Sequence, residues 1–81
     1  MSYYFYLARC SDNSLYSGFC IDLTAREARH NEGKGAKYTR SRRPIRIVYH
    51  EELSTLSEAR KREVQVKSWS KIEKEKLTVN G

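Results

Sequence analysis

The sequence predicts an α+β domain whose elements run β-β-α-β-α-α. Three observations carry that reading. Two aromatic segments, Tyr4-Phe5-Tyr6-Leu7 and Leu15-Tyr16-Ser17-Gly18, flank a polar turn near the N-terminus. A run of β-branched and aromatic residues follows Pro44, and helix-start signals at Asp22, Thr55 and Ser70 each precede a mixed polar and apolar stretch.

Residues 3–9 (YYFYLAR) are rich in strand formers and open the first strand. Ser11-Asp12-Asn13-Ser14 reads as a turn, because Asp and Asn bond their own backbone and Asn tolerates the left-handed region. A second strand follows over 14–20, which makes a hairpin. The sequence is compatible with two registers. A two-residue Asp12-Asn13 loop pairs Ser11 with Ser14 and puts Tyr6 and Tyr16 on opposite faces. A three-residue loop pairs Cys10 with Ser14, sets Tyr6 opposite Gly18 and Ala8 opposite Tyr16, and places both tyrosines on one face. In that second register Gly18, lacking a side chain, is expected to leave a gap above the sheet wide enough for a phosphate and a metal.

Residues 22–31 read as a helix capped by Asp22, with Thr24 and Glu27 at capping-box spacing and Gly33 and Gly35 ending it. Residues 34–44 form a basic connection too polar to be core. A third strand is expected over 45–52, with Pro44 at its mouth, where the missing amide does least harm. Thr55 and Glu58 open a helix to about Lys67, and Ser70 and Glu73 open a short terminal one.

At 81 residues the chain is expected to be a single domain, 1–81, near the lower limit at which one apolar core suffices. Sixteen Lys+Arg against ten Asp+Glu give a net charge of +6, which favours polyanions. No apolar run reaches membrane-spanning length, and the short N-terminal apolar stretch lacks the basic leader of an export signal, so a cytoplasmic location is expected. In that setting Cys10 and Cys20 read as reduced core thiols. Two Cys and two His without ligand spacing argue against structural zinc. The Gly33-Lys34-Gly35-Ala36-Lys37 segment lacks phosphate-loop spacing.

Several residues carry candidate chemistry. On the second helix Leu56, Ala59, Glu63 and Val66 share a face, so a carboxylate interrupts an apolar stripe. Glu63 is either a structural ion-pair partner of Arg60, Arg62 or Lys67, or a ligand for a hard divalent cation. Arg26 and His30 lie one turn apart on the first helix, and an arginine fork suits a phosphoryl group. A tyrosine base meets a problem of magnitude. With a reference pKa near 10, only about one phenol in a thousand is ionised at pH 7, and lowering that pKa by about three units takes about 4 kcal/mol. From Lys34 to Arg46 lie six basic residues (Lys34, Lys37, Arg40, Arg42, Arg43 and Arg46) and no acid, with Tyr38 among them, a surface suited to tracking phosphates and stacking a base.

In order and spacing, these residues resemble the GIY-YIG nuclease superfamily, in particular its small stand-alone bacterial branch related to the N-terminal nuclease domain of the bacterial excinuclease. Tyr4-Phe5-Tyr6 stands where that family has Gly-Ile-Tyr, and Tyr16-Ser17-Gly18 where it has Tyr-Ile-Gly. The family arginine, helix histidine and metal-binding glutamate fall on Arg26, His30 and Glu63. Stand-alone members are also similar over the stretch from Asn31 to Arg40, and over Arg62-Glu63 and Val66-Lys67-Ser68-Trp69.

The resemblance implies a small three-stranded antiparallel sheet flanked by helices. It implies a divalent-metal-dependent DNA endonuclease of low sequence specificity, directed by structure in repair or recombination. Tyr6 would be the base, Tyr16 its assistant at the phosphate, Arg26 the stabiliser of transition-state charge and His30 a relay. Glu63 would hold one Mg²⁺ or Mn²⁺, and Asn80 is the late candidate for a family asparagine. Lys34, Lys37, Tyr38, Arg40, Arg42, Arg43 and Lys67 would contact DNA. With no recognition-helix motif, specificity would come from the shape of branched, nicked or damaged DNA, from a protein partner or from a homodimer. The alternative is a non-catalytic nucleic-acid-binding module on the same fold, and a third reading is an adaptor docking through aromatics such as Trp69.

Overall fold

The structure is a computed structural model and describes residues 1–80, Asn80 by its backbone alone. Strands β1 (Tyr3–Arg9), β2 (Leu15–Cys20) and β3 (Arg46–Leu53) form one antiparallel sheet in the order β2-β1-β3. Helices α1 (Leu23–Asn31) and α2 (Lys37–Arg40) lie between β2 and β3, and α3 (Leu56–Lys67) and α4 (Lys71–Asn80) follow.

The hairpin adopts the three-residue loop. Cys10 N–H donates to Ser14 O at 2.9 Å and Asn13 N–H to Cys10 O at 2.9 Å. Asn13 takes the left-handed conformation at φ 70°, which its short polar side chain tolerates. Tyr6 therefore faces Gly18, and Ala8 faces Tyr16.

As the central strand, β1 is covered on both faces. Tyr6, Ala8, Cys10, Cys20 and Ile45 pack with Leu23 of α1 on one side, and Phe5 and Leu7 pack with Val66 of α3 and Trp69 on the other. Burying each of Phe5 and Leu7 contributes about 1.5–3 kcal/mol. Cys10 and Cys20 are both buried and free. A half-buried ion pair ties α3 to β3, the Arg62 guanidinium donating to both oxygens of Glu51 at 2.9 Å.

The helix starts follow the sequence, with one exception. Asp22 accepts from Ala25 N–H at 3.0 Å, Thr55 from Glu58 N–H at 3.1 Å, and Ser70 and Glu73 cap each other. The Thr24–Glu27 box does not form. Glu27 instead reaches across to accept from Ile47 N–H at 2.7 Å, a long-range bond that local spacing cannot reveal. Gly33, at φ 81°, ends α1, with its N–H on His30 O and Lys34 N–H on Arg29 O. Gly35 has a different task, since a Cβ there would overlap the His30 ring.

One further expectation is qualified and another corrected. The 34–44 connection stays outside the apolar core, but it contains the single turn α2, whose Thr39 is fully buried. Leu56, assigned to the inward stripe of α3, is 42% exposed because it sits in the helix's first turn.

Candidate active site

β2 is an edge strand, and α1 and α3, which pack on opposite faces of the sheet, each send a side chain to the pocket at its rim. There Tyr6, Tyr16, Gly18, Phe19, Arg26 and Glu63 line one open pocket of about 230 Å³. Four elements thus deliver two phenols, a guanidinium and a carboxylate to one cleft.

The Tyr6 ring is fully buried and lies across Gly18. A Cβ on Gly18 would stand 2.5 Å from the Tyr6 hydroxyl and 2.6 Å from Cζ. The expected gap above Gly18 is therefore filled by Tyr6 itself, and room for a phosphate lies in the pocket beyond. Glycine is needed there because an aromatic ring crosses directly over the backbone.

The Tyr6 hydroxyl meets His30 Nε2 at 2.8 Å, and His30 Nδ1 meets Thr39 Oγ1 at 2.8 Å. His30 is 1% exposed, so it is no part of a solvated helix face. Burial, then the charge of Arg26, holds its pKa below the ordinary imidazole value, which keeps the ring neutral at neutral pH. The Tyr6 phenol moves the other way. Burial and the neighbouring Tyr16 push its pKa well above 10, and the opposing pull of Arg26 is the smaller effect. A standing phenolate on Tyr6 is thus disfavoured. Tyr16 is half-buried, and its pKa is raised by burial and by the negative charge of Glu63.

Arg26 is half-buried, its Nη1 donating to Phe19 O at 3.4 Å. The Glu63 side chain is 17% exposed, and Lys67 Nζ stands 3.7 Å from it, one turn along α3. Of the two other expected partners, Arg62 is committed to Glu51, and Arg60 is exposed beside Leu56 and Lys61. The carboxylate thus faces the pocket with a single, long ion pair among the described residues. Among the described residues no group of three His, Cys, Asp or Glu is assembled, so the donor set is one carboxylate beside an open cleft. That set fits Mg²⁺ or Mn²⁺, hard ions that take one or two protein carboxylates and complete their shells with water and phosphate oxygens.

The expected DNA contacts divide. Lys34, Lys37 and Arg40 are exposed. Arg42 stacks on Tyr38 at 3.8 Å and pairs with Asp12 at 3.0 Å. Arg43 bonds Arg40 O and Asn31 O and lies against Gly33. These two arginines hold the 34–44 segment in place. Tyr38 stacks on Tyr16, centroids 6.1 Å apart and 23° between planes, and lines a groove with Tyr16, Lys67 and Lys74. Asn80 ends α4, and its side chain lies outside the described residues.

Lys74 and Thr39 were missed. Lys74 carries no local signal, because its place beside Lys67 depends on how α4 turns back. Thr39 lies within the Asn31–Arg40 stretch that resembles stand-alone nucleases, and that was its only trace in the sequence.

Comparison with known proteins agrees with this geometry. The family model of the GIY-YIG catalytic domain matches residues 2–76. A UPF0213 protein of Staphylococcus epidermidis is 46% identical over 79 residues, covering 98% of this chain and 96% of its own. Another, from Staphylococcus haemolyticus, is 49% identical over 75 residues, with 93% and 92% covered. The solution NMR structure of a UPF0213 protein from Bacillus halodurans superposes with a TM-score of 0.61 at 40% identity, covering 98% of this chain and 84% of that one. That of an E. faecalis protein gives 0.63 at 38%, with 94% and 81% covered. The chain belongs to the GIY-YIG family, a superfamily of nucleases, in the branch of small UPF0213 proteins.

Proposed function

We propose that this protein is a divalent-metal-dependent endonuclease that hydrolyses DNA phosphodiesters with low sequence specificity. One observation carries the reading: Tyr6, Tyr16, Arg26 and Glu63 converge on a single pocket whose floor phenol is hydrogen-bonded to a buried neutral imidazole.

The hydrogen bond supports a route around the difficulty of a tyrosine base. Tyr6 need not ionise in advance. As its oxygen accepts a proton from the attacking water, its own proton passes along the 2.8 Å bond to His30 Nε2, so no free phenolate accumulates. His30 is then the proton's destination and Tyr6 the conduit. Arg26 stabilises the charge on the phosphoryl oxygens, and the Tyr16 hydroxyl donates at the phosphate. Glu63 would hold one Mg²⁺ or Mn²⁺, which when bound supplies charge neutralisation at the scissile phosphate and the leaving oxygen. Exposed Lys34, Lys37 and Arg40, with Lys67 and Lys74 beside the pocket, draw in the phosphate backbone.

Selectivity is assigned to DNA shape, a protein partner or self-association. Branched, nicked or damaged DNA in repair or recombination is the substrate class to test. A cytoplasmic site of action goes with the two free thiols. The test is incubation of purified protein with supercoiled, nicked and branched DNA in Mg²⁺ or Mn²⁺. Cleavage lost in both Arg26→Ala and Glu63→Ala supports the reading, and cleavage surviving both overturns it. The complete burial of Tyr6 favours a second reading, a non-catalytic binding module. Salt-sensitive binding indifferent to Mg²⁺, with no DNA or RNA cut, is the outcome that selects it.

A further inference from the structure

α2 is a single turn in a basic stretch, and its one buried residue, Thr39, does not line the pocket. We propose that Thr39 is a positioning residue: it locks His30 in the tautomer protonated on Nδ1, which leaves Nε2 bare to take the proton of Tyr6. The catalytic consequence rests on the nuclease reading; the tautomer itself does not.

The assignment rests on where the Thr39 hydroxyl proton points. The Thr39 hydroxyl lies 2.9 Å from Ala36 O, the carbonyl one turn back. That carbonyl also accepts from Thr39 N–H at 3.1 Å and Arg40 N–H at 3.2 Å, and the contact is a hydrogen bond only with the hydroxyl proton on it, the back-bond a threonine makes inside a helix. The Thr39 oxygen then offers only lone pairs toward His30, and the 2.8 Å contact with Nδ1 requires a proton on Nδ1. A neutral imidazole carries one N–H, so Nε2 has none and accepts from the Tyr6 hydroxyl. In the opposite tautomer the Thr39 proton would have to leave Ala36 O for Nδ1, and an Nε2–H would block transfer from Tyr6.

The surroundings hold the ring in place. Gly35 packs so closely that any side chain there would overlap His30. Tyr16 meets the ring edge-on at 5.4 Å, and Arg26 is the charged group whose field reaches it. Tyr38, the residue before Thr39, stacks on Tyr16. One turn of helix thus braces both the imidazole and the second phenol, which gives a buried role to a segment that reads as pure surface.

The test uses the ¹⁵N-labelled full chain and long-range ¹⁵N–¹H correlation of the His30 ring near neutral pH, in wild type, Thr39→Ser and Thr39→Val. Wild type and Thr39→Ser should show Nδ1 protonated and Nε2 bare. Thr39→Val, which keeps the shape but loses the acceptor, should shift the ring toward Nε2–H. In plasmid nicking with Mn²⁺, Thr39→Val should lower kcat on the order of 10²-fold at unchanged KM, with Thr39→Ser close to wild type. An Nε2–H ring in wild type overturns the proposal with no variant needed, whether or not Thr39→Val folds. An unchanged tautomer in folded Thr39→Val overturns the role of Thr39. A shifted tautomer with undiminished kcat overturns its catalytic part. Absence of nicking by wild type overturns the nuclease reading instead, while the spectra still decide the tautomer.

Discussion

Gly18→Ala is the smallest change that tests the site's geometry. The new methyl would sit 2.5 Å from the Tyr6 hydroxyl and 2.6 Å from Cζ, whereas ordinary contacts lie near 3.5–4.0 Å, so the ring must move by about 1 Å. The ring is fully buried and anchored to His30 at 2.8 Å, so any shift strains that bond or pushes the phenol into the pocket. Two consequences follow. Overpacking of this kind costs about 1–3 kcal/mol, readable as a lower urea midpoint. A displacement of about 1 Å at a reacting group costs on the order of 10²-fold in rate. Stability by urea titration and initial nicking rates on supercoiled plasmid, both on purified Gly18→Ala, check the two halves. A variant with wild-type midpoint and wild-type rate would refute the placement of Tyr6 over Gly18.

Three substitutions and one change of pH carry the other expected outcomes. Tyr6→Phe removes the proton conduit and should lower kcat by about 10²–10⁴-fold while circular dichroism stays native. The His30 pKa lies below the ordinary imidazole value, so cleavage should hold as pH falls past about 6.5 and decline only when the ring protonates in the folded protein. Its stability contribution has the same sign, present above the unfolded imidazole pKa and lost as pH falls through the lowered folded one, which a pH series of urea titrations would reveal. Among the described residues the buried Ser17 Oγ has no hydrogen-bond partner, so Ser17→Ala should raise stability by about 1 kcal/mol in the same titration. Arg62→Ala strips Glu51 of its bidentate partner and should cost about 2 kcal/mol, with nicking per folded molecule unchanged.

The strands, three of the helix starts and the hairpin turn were legible because their determinants are local. Aromatic and β-branched runs, Asx and Thr caps and an Asn suited to φ 70° act over a few residues. The register was legible only as a choice between two loops, since both satisfy the same local chemistry. What stayed hidden depends on long-range packing. Glu27 abandons its capping box for Ile47 N–H twenty residues away, and Thr39 goes inward from the middle of a cationic stretch to meet His30 Nδ1 at 2.8 Å. The pocket residues were legible as types at family spacing. The direction of the Tyr6 pKa shift was not, because burial is a property of the fold and here exceeds the pull of Arg26.

A crystal of the Tyr6→Phe variant with Mn²⁺ and a short DNA duplex tests the central claim most directly. The account predicts one anomalous peak at the Glu63 carboxylate, shared with a backbone phosphate inside the pocket and within reach of Arg26. A Glu63 that stays paired with Lys67, with DNA bound elsewhere and no Mn²⁺ in the pocket, would contradict it.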